Sequence, residues 1–151
     1  MSWYELLLTL HLLSMATWFG SSLAITAMGF MSLKTGPEAF GTFTLPATRW
    51  AGRAHPVAGV VLLLTGFAMV ADRDWSFDAW LILAVIGLVV AMAIGGALIG
   101  RTADGLVKRL EDRSISAEEL TGGARQLLLY TRIELVVLVL VVADMVAKPG
   151  L

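Results

Sequence analysis

The residues of this chain that can do chemistry fall into three groups. His11 stands in the stretch LHLLSMATWFG, and at helical spacing His11, Ser14, Met15, Trp18 and Ser22 share one face. Between Leu6 and Leu33 there is no Asp, Glu, Lys or Arg, so that face is the polar stripe of a helix long enough to cross a membrane, which takes about 20 apolar residues. A titratable ring in such a helix is costly unless it faces the interior of a bundle. His55, the second histidine, precedes Pro56 at the start of another apolar run. Imidazole is an axial ligand of b-type haem between packed helices and a ligand of copper, so His11 and His55 are candidate metal ligands with Met15 and Trp18 beside them. The alternative is structural: His11 bonded to a backbone or serine group, and His55 capping a kink at Pro56. Counted from the helix ends at 1.5 Å per residue, both lie roughly 12 to 14 Å deep, from opposite sides. They flank one site, or they belong to two.

The second group is charged. Arg49 and Arg53 are four apart in the second helix, and Arg132 and Glu134 stand near the start of the last, at similar expected depth. Pairing arginine with a carboxylate is the least costly way to hold such groups below the headgroups. These arginines either receive an anionic group, such as the propionates of a porphyrin, or snorkel to the interface. In the third group, Asp144 and Lys148 are four apart and are expected to form a helix-end ion pair. The methionines, among them Met15, Met28, Met31, Met69, Met92 and Met145, have no copper-binding spacing and read as core fillers. No phosphate loop, nucleophile elbow or metalloprotease motif is present, and nothing points to nucleic acid.

The elements that must carry these residues are helices in lipid. The chain is 58% hydrophobic and 15% charged, a composition foreign to a soluble domain of 151 residues. There is no cysteine, which removes disulfides and thiolate metal sites. The expected architecture is an all-α, integral membrane four-helix bundle in a single domain, with helices at about 3–31, 46–71, 77–110 and 124–147. The first stretch lacks a basic leader and is expected to stay as a helix. KTGPEAFGTF should be a loop, with Pro46 in the first turn of the second helix. DRDWSFDAW should be a polar turn with Trp75 and Trp80 at the interface. In the third helix, Gly87, Ala91 and Gly95 recur every four residues, a spacing that lets backbones approach closely. Ser116 and Glu119 form a capping box before the last helix. Lys34, Arg49, Arg53, Arg101, Lys108, Arg109, Arg113, Arg125 and Arg132 fall on one side, leaving Arg73 and Lys148 on the other. The positive-inside rule then puts both termini on the non-cytoplasmic side.

The quoted stretches also resemble a known superfamily. WYELLLTLHLLSMATWFGSSL, RWAGRAHPVAGVVLLLTGFAMV and YTRIELVVLVLVVADMVAKP are similar to helices one, two and last of small four- or five-helix membrane proteins. These include the haem-containing protoporphyrinogen oxidase of the HemJ type, the membrane domain of copper-resistance protein D, and uncharacterised predicted integral membrane proteins. The resemblance covers most of the chain and implies that His11 is the counterpart of a haem-ligand candidate and Glu134 that of an acidic residue in the last helix. Where the HemJ type has a lysine after the tryptophan of helix three and a Tyr-His-Gly later, this chain has Trp80 and MAIGGAL, so the uncharacterised members match better. The resulting expectation is a multi-pass protein of the bacterial inner (plasma) membrane, holding haem b or copper, or no cofactor, for a redox-linked role. The alternatives are an accessory subunit of a larger membrane complex, a protoporphyrinogen oxidase-like enzyme, and copper handling. Contact with lipid and assembly as a homo-oligomer or complex subunit complete the reading.

Overall fold

A computed structural model describes residues 2–72 and 78–148. Four helices are long and apolar enough to cross a membrane: α1 (Trp3–Thr35), α2 (Pro37–Asp72), α3 (Ala79–Glu111) and α4 (Ala117–Ala147). Among the described residues there is no strand. Arg73 and Trp75, and the expected first residue of the third helix, Phe77, lie outside the described residues.

The helices begin where side chains can satisfy their open N–H groups. Ser2 caps α1 in a box with Glu5, and Ser116 caps α4 in a box with Glu119, at the position expected from sequence. α4 therefore starts at Ala117, seven residues before the expected start, and runs through Gly122 and Gly123. The stretch expected as a loop after α1 is helical too. Gly36, at φ 138°, turns the chain, and Pro37 opens α2 directly. Pro56 lies inside α2 without ending it.

Two stretches widen into π-helix: Phe40–Thr44 in α2 and Ile94–Gly100 in α3. The second lies at a close helix contact. A Cβ on Gly52 would fall 2.8 Å from the Cα of Gly100, so α2 and α3 meet backbone to backbone there. Such an approach is open only to glycine. π-Segments of this kind recur at functional sites.

The bundle is apolar outside and partly polar inside. Leu12, Leu13, Val57, Leu64, Val136 and Leu140 are exposed, as side chains facing lipid should be. Ser22, Thr26, Thr48, His55, Thr65, Thr131 and Glu134 are buried. Lipid tails are as apolar as leucine, so these interior contacts and close packing, rather than water exclusion, hold the helices together.

Candidate functional site

The polar interior is organised along the face of α1 that carries His11, Trp18 and Ser22, at two levels. At the first level, the Thr65 hydroxyl donates to the Val61 carbonyl at 2.7 Å, a bond that β-hydroxyl side chains commonly make one turn back along a helix. The same oxygen is paired with His11 Nδ1 at 2.9 Å, and with its proton on the Val61 carbonyl it would accept from Nδ1–H. With the hydrogen on Nδ1, Nε2 keeps its lone pair. Gly66 lies against the Cε1–Nδ1 edge of the ring, where a Cβ would stand 3.5 Å from Cε1. His11 lines a cavity of about 340 Å³ to which all four helices contribute. Its walls are mainly Leu8, Leu62, Ala84, Leu88, Leu138 and Val141, with Met15, Met69 and Met145 among them. Trp80 and Lys148 also line it, the ammonium 5.4 Å from the centre of the Trp80 ring.

At the second level Glu134 of α4 is fully buried. Its Oε2 accepts from the Ser22 hydroxyl at 2.8 Å. Its Oε1 accepts from Trp18 Nε1–H at 3.2 Å and lies 3.3 Å from His55 Nδ1. The other ring nitrogen of His55, Nε2, is 3.0 Å from Ser21 Oγ, whose hydroxyl also reaches the Trp18 carbonyl at 3.0 Å. Trp18 packs on the imidazole with ring centres 5.5 Å apart. α3 closes this level with its π-segment: a Cβ on Gly95 would fall 2.6 Å from Glu134 Oε1, so only a glycine leaves room for the carboxylate.

The two histidines therefore belong to two sites. Ser21, the partner of His55, is ten residues from His11, about 15 Å along the helix axis. Two ligands of one metal are joined through bonds of only about 2 Å each, so His11 and His55 cannot share an ion. With both ring nitrogens engaged, His55 also offers no free ligand atom. Among the described residues no cluster of three His, Cys, Asp or Glu side chains suited to a metal ion occurs.

The expected charge cluster divides as well. Arg49 Nε and Arg53 Nη2 both bond to Asp104 of α3, at 2.7 and 3.2 Å. Arg132 is exposed, and its guanidinium lies 4.2 Å from the centre of the Phe30 ring. Residues two apart on a helix point about 200° apart, which turns Arg132 to the outside when Glu134 faces in. Asp144 and Lys148 meet through the backbone, the Lys148 N–H donating to the Asp144 carbonyl at 2.8 Å. Asp144 Oδ2 is buried without a hydrogen-bond partner among the described residues. Trp80, expected at the interface, is buried against the cavity. Sequence reasoning singled out Gly95 as a close-approach position but did not find Ser21, Thr65 or Asp104; each of these acquires its role only from a partner on another helix.

Fold and site together define an integral membrane protein with a four-helix bundle around a polar seam. The chain belongs to the family described as predicted integral membrane protein (DUF2269), whose model matches residues 5–149. No curated protein and no solved structure matches it.

Proposed function

We propose that the protein binds haem b in the cavity at His11 and serves a redox-linked role in the bacterial plasma membrane, with both termini on the non-cytoplasmic side. The observation that carries this reading is the state of His11. Its Nδ1–H is held by Thr65, which orients the ring and leaves Nε2 as the electron-pair donor, the arrangement in which protein-bound imidazole ligates a metal.

The residues present fit the group. A flat macrocycle needs apolar walls, and the cavity supplies them from four helices, at a size within the usual range of cofactor clefts. Its carboxylates need a cation, and Lys148 lines the same cavity at the end of α4. His11 would hold the iron, Met15, Met69 and Met145 offer thioethers near it, and Leu62, Leu88 and Leu138 would exclude water. Haem supplies one-electron chemistry when bound. The chain's own part is to orient His11 through Thr65 and keep the surroundings dry.

A copper ion is the second reading, favoured by one observation: the cavity gathers His11 and three methionines that the sequence spaces far apart. Soft thioethers with an imidazole suit reduced copper. One purification tests both. Protein isolated in mild detergent from haem-supplied cells should show a Soret band and sharpened bands on reduction with dithionite, lost in His11→Ala with the protein still in the membrane. Bound copper without a Soret band would replace haem by copper. Colourless, metal-free protein would overturn both and leave the role of an accessory subunit.

A further inference from the structure

The second level of the seam is independent of that reading, and His11 takes no part in it. We infer that the Glu134–His55 pair takes up and releases one proton at His55 Nε2, and that Ser21 is the rotor that follows it.

Trp18 Nε1–H can only donate to the carboxylate, and the Ser22 hydroxyl donates to its other oxygen. Ser21 has one hydroxyl proton and two neighbours for it, the Trp18 carbonyl and His55 Nε2, both at 3.0 Å. When Ser21 donates to the carbonyl, its oxygen accepts from His55 Nε2–H. The bond between His55 Nδ1 and Glu134 Oε1 then carries a second proton, on either side of it. This form has no net charge, as an ion pair or as two neutral groups. When Ser21 turns to donate to Nε2, Nδ1–H donates to the carboxylate and the cluster carries one negative charge. Each form satisfies every ring nitrogen and both carboxylate oxygens. They differ by one proton and one hydroxyl rotation.

The step balances. The Nε2–H bond breaks, the proton passes to water, the electron pair stays on Nε2, and the Ser21 hydroxyl turns from the Trp18 carbonyl to that lone pair. Glu134 and the ring of His55 are buried, whereas Ser21 is partly exposed.

The ligand is a proton and not a metal cation. N–H and O–H donors from Trp18, Ser22 and His55 point at the carboxylate, and a bound cation would meet their positive ends. The charged groups around the cluster confirm its isolation. α1 presents Trp18, Ser21 and Ser22, α2 presents His55, and α3 presents Gly95. On α2 the nearest arginines, Arg49 and Arg53, bond to Asp104, and on α4 Arg132 lies over Phe30.

The test uses the full chain in lipid nanodiscs, labelled with ¹⁵N-histidine and with ¹³C at the glutamate carboxyl. There are only two histidines, so His11→Ala assigns the His55 ring signals, and Glu134→Gln assigns the Glu134 carboxyl signal. On raising pH, the His55 nitrogens and the Glu134 carbon should move in one step with one midpoint, and Nε2 should be the nitrogen that loses its hydrogen. In Glu134→Gln the midpoint of His55 should shift. Two separate midpoints, movement of Glu134 alone, or no movement of either would overturn the inference. Should Glu134→Gln fail to reach the membrane, the wild-type histidine signals still decide: loss of hydrogen from Nδ1 in place of Nε2 is incompatible with the rotor.

Discussion

Trp18 and Glu134 are joined by a hydrogen bond of 3.2 Å between α1 and α4, at a point where both side chains are fully buried. Because the same carboxylate also receives Ser22 and faces His55, a single acidic residue ties α1, α2 and α4 together. Removing it leaves several donors without acceptors in the buried interior of the bundle.

Glu134→Ala is therefore expected to destabilise the bundle strongly, since each orphaned buried donor costs about 1–3 kcal/mol. Trp18→Phe removes one donor and leaves the rest paired, at a cost nearer the low end of that range with a small cavity added. Unfolding of reconstituted protein by denaturing detergent should rank wild type, Trp18→Phe and Glu134→Ala in that order. Equal stability of wild type and Glu134→Ala would show that the carboxylate contributes nothing to holding the helices.

Glycine substitutions separate close approach from helix propensity. At Gly95 an added methyl meets the Glu134 carboxylate, so Gly95→Ala should lower stability and disturb the Trp18 emission. At Gly105, exposed on α3 with nothing within 4 Å of a Cβ, Gly105→Ala should raise stability by up to about 1 kcal/mol. The same unfolding assay reads both signs, and a loss at Gly105 matching that at Gly95 would contradict the packing.

Thr65 holds His11 from outside the cavity. Thr65→Val keeps the shape and removes the oxygen that accepts Nδ1–H. If haem sits at His11, its affinity should fall about 10- to 100-fold, the usual cost of losing a partner that orients a ligand. Haem titration of the apoprotein measures this, and unchanged affinity would remove Thr65 from the account.

The ion pairs of Arg49 and Arg53 with Asp104 are partly exposed, at 36% and 47% for the first pair. Asp104→Asn should cost less than about 1 kcal/mol, and the difference should shrink in high salt. A loss of several kcal/mol would indicate that these arginines are more deeply buried in the bilayer than their exposure suggests.

Much of the fold could be read from the chain alone. Apolar stretches of membrane length dictate four helices whatever their neighbours, because no other structure satisfies backbone groups in lipid except a closed barrel. The Ser116 and Glu119 box marks the start of α4 by a bond within three residues, and it is where the sequence puts it. Local rules failed where a helix runs on despite loop-like composition, as at Pro37 to Thr44, since in a bundle tertiary packing outweighs the preferences of glycine and threonine.

The sequence by itself determined that His11 would be costly in lipid unless it faced inward, and that Glu134 would need a partner, because burial cost depends on residue type and position along a span. Tertiary structure alone decided their partners. Hydrogen bonds reach only about 3 Å, so which groups meet depends on how α1, α2 and α4 are rotated and slid against one another. That rotation gave His11 to Thr65 and the cavity, gave His55 and Trp18 to Glu134, and left Arg132 outside on Phe30.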